Sequence, residues 1–106
     1  MNPTDDDQKV LEALAASGSD LTREHSIDFF LYFRTELETI KADDVIRANW
    51  PFLVPKIERA AGSDEWVLTY KTRLVPELEI LRAIRKTFVA SGGDYDGWGA
   101  DIERQS

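Results

Sequence analysis

Apolar residues recur at helical spacing in three stretches of the chain, and each stretch predicts a helix. The first helix is predicted over residues 5–17 and ends at Gly18, because glycine tolerates the left-handed conformation that closes many helices. The second is predicted over residues 35–49, and the third begins near Pro76 and ends at Gly92. The side chains expected on the buried sides of these helices are Val10, Leu11 and Leu14; Leu37, Ile40, Val45 and Ala48; and Leu78, Leu81, Ile84 and Phe88.

Four further stretches have the alternating or aromatic-rich patterns of strands, over residues 25–34, 52–59, 66–74 and 94–103. In the first strand one face is apolar and the other is mixed, so we expect helices to cover the first face and leave the second partly open. The two faces of this strand carry Ile27, Phe29, Leu31 and Phe33, and Asp28, Phe30, Tyr32 and Arg34. In the third strand the two faces carry Trp66, Leu68, Tyr70, Thr72 and Leu74, and Val67, Thr69, Lys71 and Arg73.

The predicted order of elements is α-β-α-β-β-α-β, which fits one domain over residues 1–106. After the first helix this is the βαββαβ order of an α+β ferredoxin-like sandwich, in which a four-stranded antiparallel sheet carries helices mainly on one face. The first helix is an addition to that plan. Pro55 cannot donate a hydrogen bond to a sheet ladder, so the second strand is expected at an edge, as this topology requires.

The charge balance limits the classes of partner. The formal net charge is −7, from 20 acidic and 13 basic residues, which disfavours non-specific binding to nucleic acid or to an anionic membrane and favours a protein with a basic segment. The chain has no cysteine, which excludes disulfides and suits a reducing compartment. Its acidic, polar opening is unlike a secretion signal, and no apolar run approaches the about 20 residues of a membrane span. We expect a cytoplasmic protein.

The chain contains few residues of the types that usually perform catalysis or bind metal ions. His25 is the single histidine, so any Ser or Thr nucleophile would depend on it as its base. A lone histidine at the start of a strand is more often a surface or strand-end residue. One histidine without cysteine is too few strong ligands for zinc, and no glycine-rich phosphate loop is present. We therefore predict no catalytic residues, metal or cofactor. Acidic pairs such as Asp5–Asp7 and Asp43-Asp44 are expected to be solvated.

The mixed face of the first strand is a candidate binding surface. Phe30 and Tyr32 would lie beside Lys71 and Arg73 of the third strand, and exposed aromatic and arginine side chains are typical of protein interfaces. Aromatic residues with basic neighbours on such a sheet are also typical of modules that stack single-stranded RNA bases. A third possibility is a small-ligand sensor, as ferredoxin-like domains often are. Alternatively, the first helix or a second copy of the chain covers both rings.

The last strand contains the most unusual segment of the sequence, Asp94-Tyr95-Asp96-Gly97-Trp98-Gly99. Glycines on both sides of Trp98 allow a bulge or a close backbone approach. Trp98 could close one end of the sheet as a packing residue. Alternatively, Tyr95 and Trp98, together with Asp94 and Asp96, could anchor a basic partner protein.

This segment resembles the RraB family, whose members carry a Tyr-Asp-Gly-Trp-Gly motif near the end of the domain. The resemblance extends over about residues 8–102. Further similar features are the acidic first helix running into Gly18-Ser19-Asp20, the strand segment Ile27-Asp28-Phe29-Phe30, and the helix beginning Glu36-Leu37-Glu38-Thr39-Ile40.

The resemblance implies a ferredoxin-like α+β fold, in agreement with the order of elements predicted from the residues. It also implies a non-enzymatic regulator that binds ribonuclease E, inhibits or modulates its endonuclease action and so shifts RNA turnover. Such a protein would act by contact, which suits an acidic chain facing an arginine-rich partner segment.

Overall fold

The computed structural model describes residues 3–103, and their side chains from residue 7 onward. The side chains of Asp5 and Asp6, predicted to be solvated, lie outside this described part. The predicted order of elements is confirmed, with boundaries that differ by a few residues at most. The elements are α1 (Pro3–Ala16), β1 (His25–Phe33), α2 (Glu36–Asn49), β2 (Val54–Arg59), β3 (Trp66–Leu74), α3 (Leu78–Ala90) and β4 (Asp94–Ala100).

The four described strands form one sheet in the order β2-β3-β1-β4, and every neighbouring pair is antiparallel. The predicted α+β class and ferredoxin-like arrangement are therefore confirmed. β1 and β3 lie in the centre because each has a long apolar stripe to bury. Pro55 lies in β2, which is an edge strand as predicted, so its missing N–H leaves no gap in a central ladder.

The core lies between one face of the sheet and the helices. The odd-numbered side chains of β1 are all buried, as the alternation predicted. The ring of Phe88 in α3 is at the centre, 5.2 Å from the ring of Phe29 and stacked 5.6 Å from that of Tyr70, measured between centroids. Leu14 of α1 belongs to the same cluster, so the additional helix packs on this face too.

The predicted buried side of α2 is wrong. Leu37, Ile40 and Val45 are exposed, as is Ala48, while the side chains that face the sheet are Thr39, Ala42, Asp43 and Ile46.

The reversal has a physical cause, because the polar side chains of α2 find partners in the interior. Asp43 is 5% exposed, and its carboxylate accepts a hydrogen bond from the Tyr70 hydroxyl at 2.7 Å and two from the Arg47 Nε and Nη2 groups. The Thr39 hydroxyl donates to the carbonyl of Thr35 at 2.8 Å. Buried polar groups with such bonds cost little, so the polar side of the helix can face the sheet. Burial and the Asp43 carboxylate together raise the pKa of Tyr70.

The expectation that the paired acidic residues are solvated is also wrong for two of them. Asp43 and Asp7 are both buried instead of solvated. Asp7 accepts a hydrogen bond at Oδ1 from the indole N–H of Trp98, 3.0 Å away, and its Oδ2 lies 3.5 Å from Nη1 of Arg85. One carboxyl group thus joins α1 to both β4 and α3.

Within residues 3–103, no helix combines the length and the apolar character that a membrane crossing requires.

Candidate protein-binding face

The second face of the sheet is not covered by any of the described helices, whose buried side chains all belong to the core on the opposite side. We call it the open face. It is formed by Val54, Lys56 and Glu58 of β2; Val67, Thr69, Lys71 and Arg73 of β3; Asp28, Phe30 and Tyr32 of β1; and Asp94, Gly97 and Gly99 of β4.

The two predicted aromatic residues are partly exposed, with Phe30 near the middle of the open face and Tyr32 at one end of it. Phe30 lies between Thr69 on β3 and Gly97 on β4, and Tyr32 lies between Val67 and Asp94. Because α1 packs on the core side, the possibility that it covers these rings is wrong. The rings remain accessible to a partner.

A bulge in β4 lies beside Phe30, and the residue opposite Phe30 is a glycine. The β1–β4 register shifts between Phe30 and Leu31, and Gly97, at this position, has a φ of +100°, a conformation that side chains other than glycine rarely adopt. A Cβ atom on Gly97 or Gly99 would meet no atom within 4 Å, so the space above both is open. The neighbour of Phe30 on β4 therefore contributes no side chain to the open face.

Charge is unevenly distributed along the open face. At the Tyr32 end, Glu58 and Asp94 occupy the same cross-strand row as the tyrosine ring. At the opposite end, Lys71 and Arg73 follow each other along β3. Opposite charges lie near most of these groups: Glu58 pairs with Lys56 at 3.0 Å, and Arg73 lies within 4.0 Å of Glu24 and Glu103. Asp94, beside Tyr32, is in none of these pairs.

The structure divides the predicted C-terminal segment between the two faces. Asp94 pairs with Tyr32 on the open face, and Asp96 is exposed at the bulge. Tyr95 and Trp98 lie opposite Leu31 and Phe29, on the core side, and Trp98 is 8% exposed.

These two aromatic side chains are part of the packing at this end of the sheet. The Tyr95 ring lies 5.3 Å from the Phe88 ring and 5.4 Å from the guanidinium carbon of Arg85, measured to centroids. Burial and the neighbouring Asp7 carboxylate raise the pKa of Tyr95. The role of the segment in binding a partner stays a prediction.

A family model described as RraB, "Regulator of ribonuclease activity B", matches residues 4–100. The chain belongs to the RraB family. A search of curated proteins finds no match. Membership in a family of ribonuclease regulators implies that this RraB-family chain acts on a ribonuclease, which is itself a protein. The match covers the whole sheet, including both the open face and the motif that carried the resemblance.

His25 has a role that the sequence did not reveal. It is fully buried; its Nδ1 lies 2.8 Å from the carbonyl oxygen of Arg23, and its Nε2 lies 2.6 Å from Oγ of Ser19. The carbonyl can only accept, so Nδ1 donates to it. Nε2 of a neutral ring then accepts from the Ser19 hydroxyl.

The same serine holds the end of the chain in place. Its Oγ accepts from the N–H of Glu103 at 2.9 Å, and the N–H of Asp20 donates to the carbonyl of Glu103. The hydroxyl is engaged on both sides and enclosed, which suits a structural connection better than a nucleophile. No local motif links residues 19, 25 and 103, so only the fold could bring them together.

A cleft of about 1060 Å³ opens beside Tyr32, between α2 and the end of α3. Its charged lining is mixed, with the carboxylates of Glu38, Glu65 and Asp94 and the cations of Arg34 and Lys41. Within the described part of the chain, no group of three or more histidine, cysteine, aspartate or glutamate side chains could hold a metal ion. The cleft extends the acidic end of the open face around the edge of the sheet.

Proposed function

We propose that this RraB-family protein is a non-enzymatic regulator that binds ribonuclease E through its open face and lowers or redirects the cleavage of RNA. The observation that supports this proposal best is the pair of partly exposed aromatic residues, Phe30 and Tyr32, on a sheet face that no described helix covers. Aromatic side chains near the centre of a flat surface are the usual anchors of protein interfaces. Family membership supplies the class of partner.

The charge pattern favours a basic segment of the partner at the Tyr32 end. Asp94 is the cross-strand neighbour of Tyr32, and Glu58 ends the same row two strands away. Glu38 and Glu65 add carboxylates in the cleft, which also contains the cations of Arg34 and Lys41. A guanidinium group can stack on an aromatic ring and also pair with a carboxylate, so an arginine-rich segment fits this end. The net charge of −7 would further speed the approach of such a segment.

The C-terminal segment would contribute to the same contact in part. Asp94 is on the open face and Asp96 is exposed, so both are available to cations, and Gly97 and Gly99 leave room beside Phe30. Tyr95 and Trp98 would act indirectly, by holding β4 in position. A cytoplasmic location belongs to the same proposal and is consistent with a sequence that lacks cysteine.

Single-stranded RNA is the main alternative ligand. Lys71 and Arg73 at one end of the open face could contact phosphates while Phe30 stacks on a base. The carboxylates beside Tyr32 would repel the next phosphates along the strand, which is why we favour a protein partner. A small ligand in the cleft is the third alternative.

The decisive experiment measures binding of the purified protein to the arginine-rich scaffold half of ribonuclease E by calorimetry, at low and at high salt. We expect binding that weakens as salt rises. Phe30→Ala and Tyr32→Ala should each weaken it by about tenfold or more, the usual loss at an interface anchor. Val89→Ala is the matched control, because Val89 is exposed on α3, away from the open face.

Three results would count against the proposal. If no binding is detected at low salt, where electrostatic attraction is strongest, ribonuclease E is not the partner. If the protein binds but RNA cleavage proceeds at an unchanged rate and with unchanged products, the regulatory part is wrong. If the protein instead retards single-stranded RNA in a gel and Phe30→Ala abolishes the retardation, the RNA alternative replaces it.

A further inference from the structure

The outward side of α2 presents large apolar side chains to water. Leu37 is 61% exposed, Val45 is 54% exposed and Ile40 is 42% exposed. Leu37 lies opposite the buried Ile46, and Ile40 and Val45 lie toward the two flanks of the helix. A cluster of exposed apolar side chains on one helix commonly marks an interaction surface.

The two charges on this side are complementary to the same side read in reverse order. Leu37, Lys41, Asp44 and Ala48 follow one another at spacings of four, three and four residues, and so form one stripe. In an antiparallel pair of helices with a two-fold axis midway between residues 42 and 43, residues equally far from that midpoint face each other. Leu37 then faces Ala48 of the second copy, and Lys41 faces Asp44 of the second copy.

We propose that α2 pairs in an antiparallel manner with α2 of a second copy, forming a two-fold symmetric dimer. Two-fold symmetry makes each contact occur twice, so the line of contact between the two helices, called the seam, contains two Lys41–Asp44 ion pairs and two Leu37–Ala48 contacts. Ile40 and Val45 flank the seam on its two sides. Within the described chain, neither Lys41 nor Asp44 lies within 4.0 Å of an opposite charge, although the Asp44 carboxylate also acts on Arg47 from a greater distance.

Charge complementarity identifies the occupant as a second copy. This stripe carries one cation and one anion at mirrored positions, so its best complement is the same stripe turned around. A uniformly basic segment, the partner expected at the open face, would be repelled by Lys41. The dimer therefore rests on a different set of side chains from the proposed binding to the nuclease, apart from Lys41, which also lines the cleft beside Tyr32.

The proposed dimer leaves the open face accessible. α2 packs on the core side of the sheet, so Leu37, Asp44 and Ala48 point away from Phe30. Lys41 and Val45 border the cleft beside Tyr32, at the edge of the open face. Each dimer would thus carry two open faces, and a partner with two binding segments would be held more tightly than by one copy. A single helix pair buries less than the about 1,200 Å² of a standard interface, so we expect a dissociation constant on the order of 0.1 mM.

Disulfide trapping tests the geometry directly, because the chain contains no cysteine. Leu37→Cys and Ala48→Cys proteins are oxidised separately and as a mixture. The mixture should give a cross-linked dimer, since those positions face each other. Each protein alone should give little, because identical positions would lie about 16 Å apart along the helix axis. Both positions are exposed, so neither change threatens folding.

The control mixture pairs Ala48→Cys with Val89→Cys, an exposed position on α3. The proposal is overturned if the Leu37→Cys and Ala48→Cys mixture cross-links no faster than this control. It is also overturned if each protein alone cross-links as fast as the mixture, since that result indicates parallel or random contact.

Charge exchange provides the second test, by sedimentation equilibrium of the unlinked protein. Lys41→Asp and Asp44→Lys should each weaken the dimer by about tenfold, because each change places like charges opposite each other twice. The double exchange should restore the dissociation constant to within about threefold of the original. A single monomeric species at about 1 mM, or a double exchange as weak as the single changes, contradicts the proposal.

Discussion

The hydrogen bond between Trp98 and Asp7 allows the sharpest test of how this fold is held together. Trp98 is 8% exposed and Asp7 is 1% exposed, and the indole N–H donates to the carboxyl oxygen at 3.0 Å. The two residues are 91 positions apart, so the bond fastens α1 to β4. Trp98→Phe keeps an aromatic ring in the core but removes the donor.

The expected cost can be worked out from these contacts. A buried acceptor that loses its donor costs about 1–3 kcal/mol. The smaller phenylalanine ring buries roughly 40 Å² less apolar area, which adds about 1 kcal/mol. Arg85 remains 3.5 Å from Asp7 and offsets part of the loss. We therefore expect Trp98→Phe to lower the free energy of unfolding by about 2–3 kcal/mol, and Trp98→Ala by about 3–5 kcal/mol.

Urea unfolding followed by circular dichroism is the suitable assay, because the chain has three tryptophans and replacing one changes the fluorescence baseline. A double-mutant cycle with Asp7→Ala isolates the bond, and we expect a coupling energy of about 1–2 kcal/mol. A smaller dependence of the unfolding free energy on urea concentration in Trp98→Phe would indicate that α1 is already detached in the folded state of this variant.

Two results would refute this reasoning. A loss below about 0.5 kcal/mol for Trp98→Phe, with no coupling to Asp7→Ala, would mean that the bond contributes nothing. Unchanged stability of Trp98→Ala together with lost nuclease binding would make Trp98 an interface residue instead of a packing residue.

The remaining predictions concern other contacts that stabilise the fold. Gly93→Ala should lower the free energy of unfolding by about 2 kcal/mol, because the new Cβ would lie 2.8 Å from Cε1 of the buried Phe33 ring. The melting temperature should fall by roughly 10 °C. The control is Gly99→Ala, which should not lower the melting temperature because a Cβ there meets open space. Ser19→Ala should cost about 2 kcal/mol and speed amide exchange in the C-terminal segment; unchanged exchange would contradict the connection at Ser19. Burial raises the pKa of Tyr95 in the folded state above the value of about 10 in the unfolded chain. The Tyr95 hydroxyl therefore makes its full contribution to stability below about pH 10, and that contribution is lost as the pH rises further and the unfolded chain ionises first. Tyr95→Phe should therefore flatten the fall of the urea midpoint above about pH 10, and an equally steep fall would argue against the buried hydroxyl.

Much of the fold could be predicted because its signals are local. The alternation in β1 identified the face that the helices cover, and Pro55 identified the edge strand. Phe30 and Tyr32 were placed on the open face by the same period of two, since a strand directs successive side chains to opposite faces. These inferences needed no knowledge of distant residues.

The candidate site was predicted less completely, and the segment 94–99 illustrates why. Its aromatic residues and aspartates are adjacent in sequence, which suggested one binding patch. The bulge at Gly97 and the pleat of β4 send Tyr95 and Trp98 to the core and leave Asp94 and Asp96 exposed. A bulge depends on the neighbouring strand, so its position is not visible in the segment itself.

The sequence by itself determined the order of elements, the topology that follows from it, and the family. Only the tertiary structure decided which side of α2 is buried and which acidic residues lie inside. The reason is energetic: a carboxyl group can be buried when donors reach it, and the donors to Asp7 and Asp43 include Trp98 and Tyr70, both far along the chain. The spacing of apolar residues predicts which positions are buried, because apolar side chains avoid water wherever they lie. The burial of a polar group depends instead on hydrogen-bond partners that only the folded chain brings together.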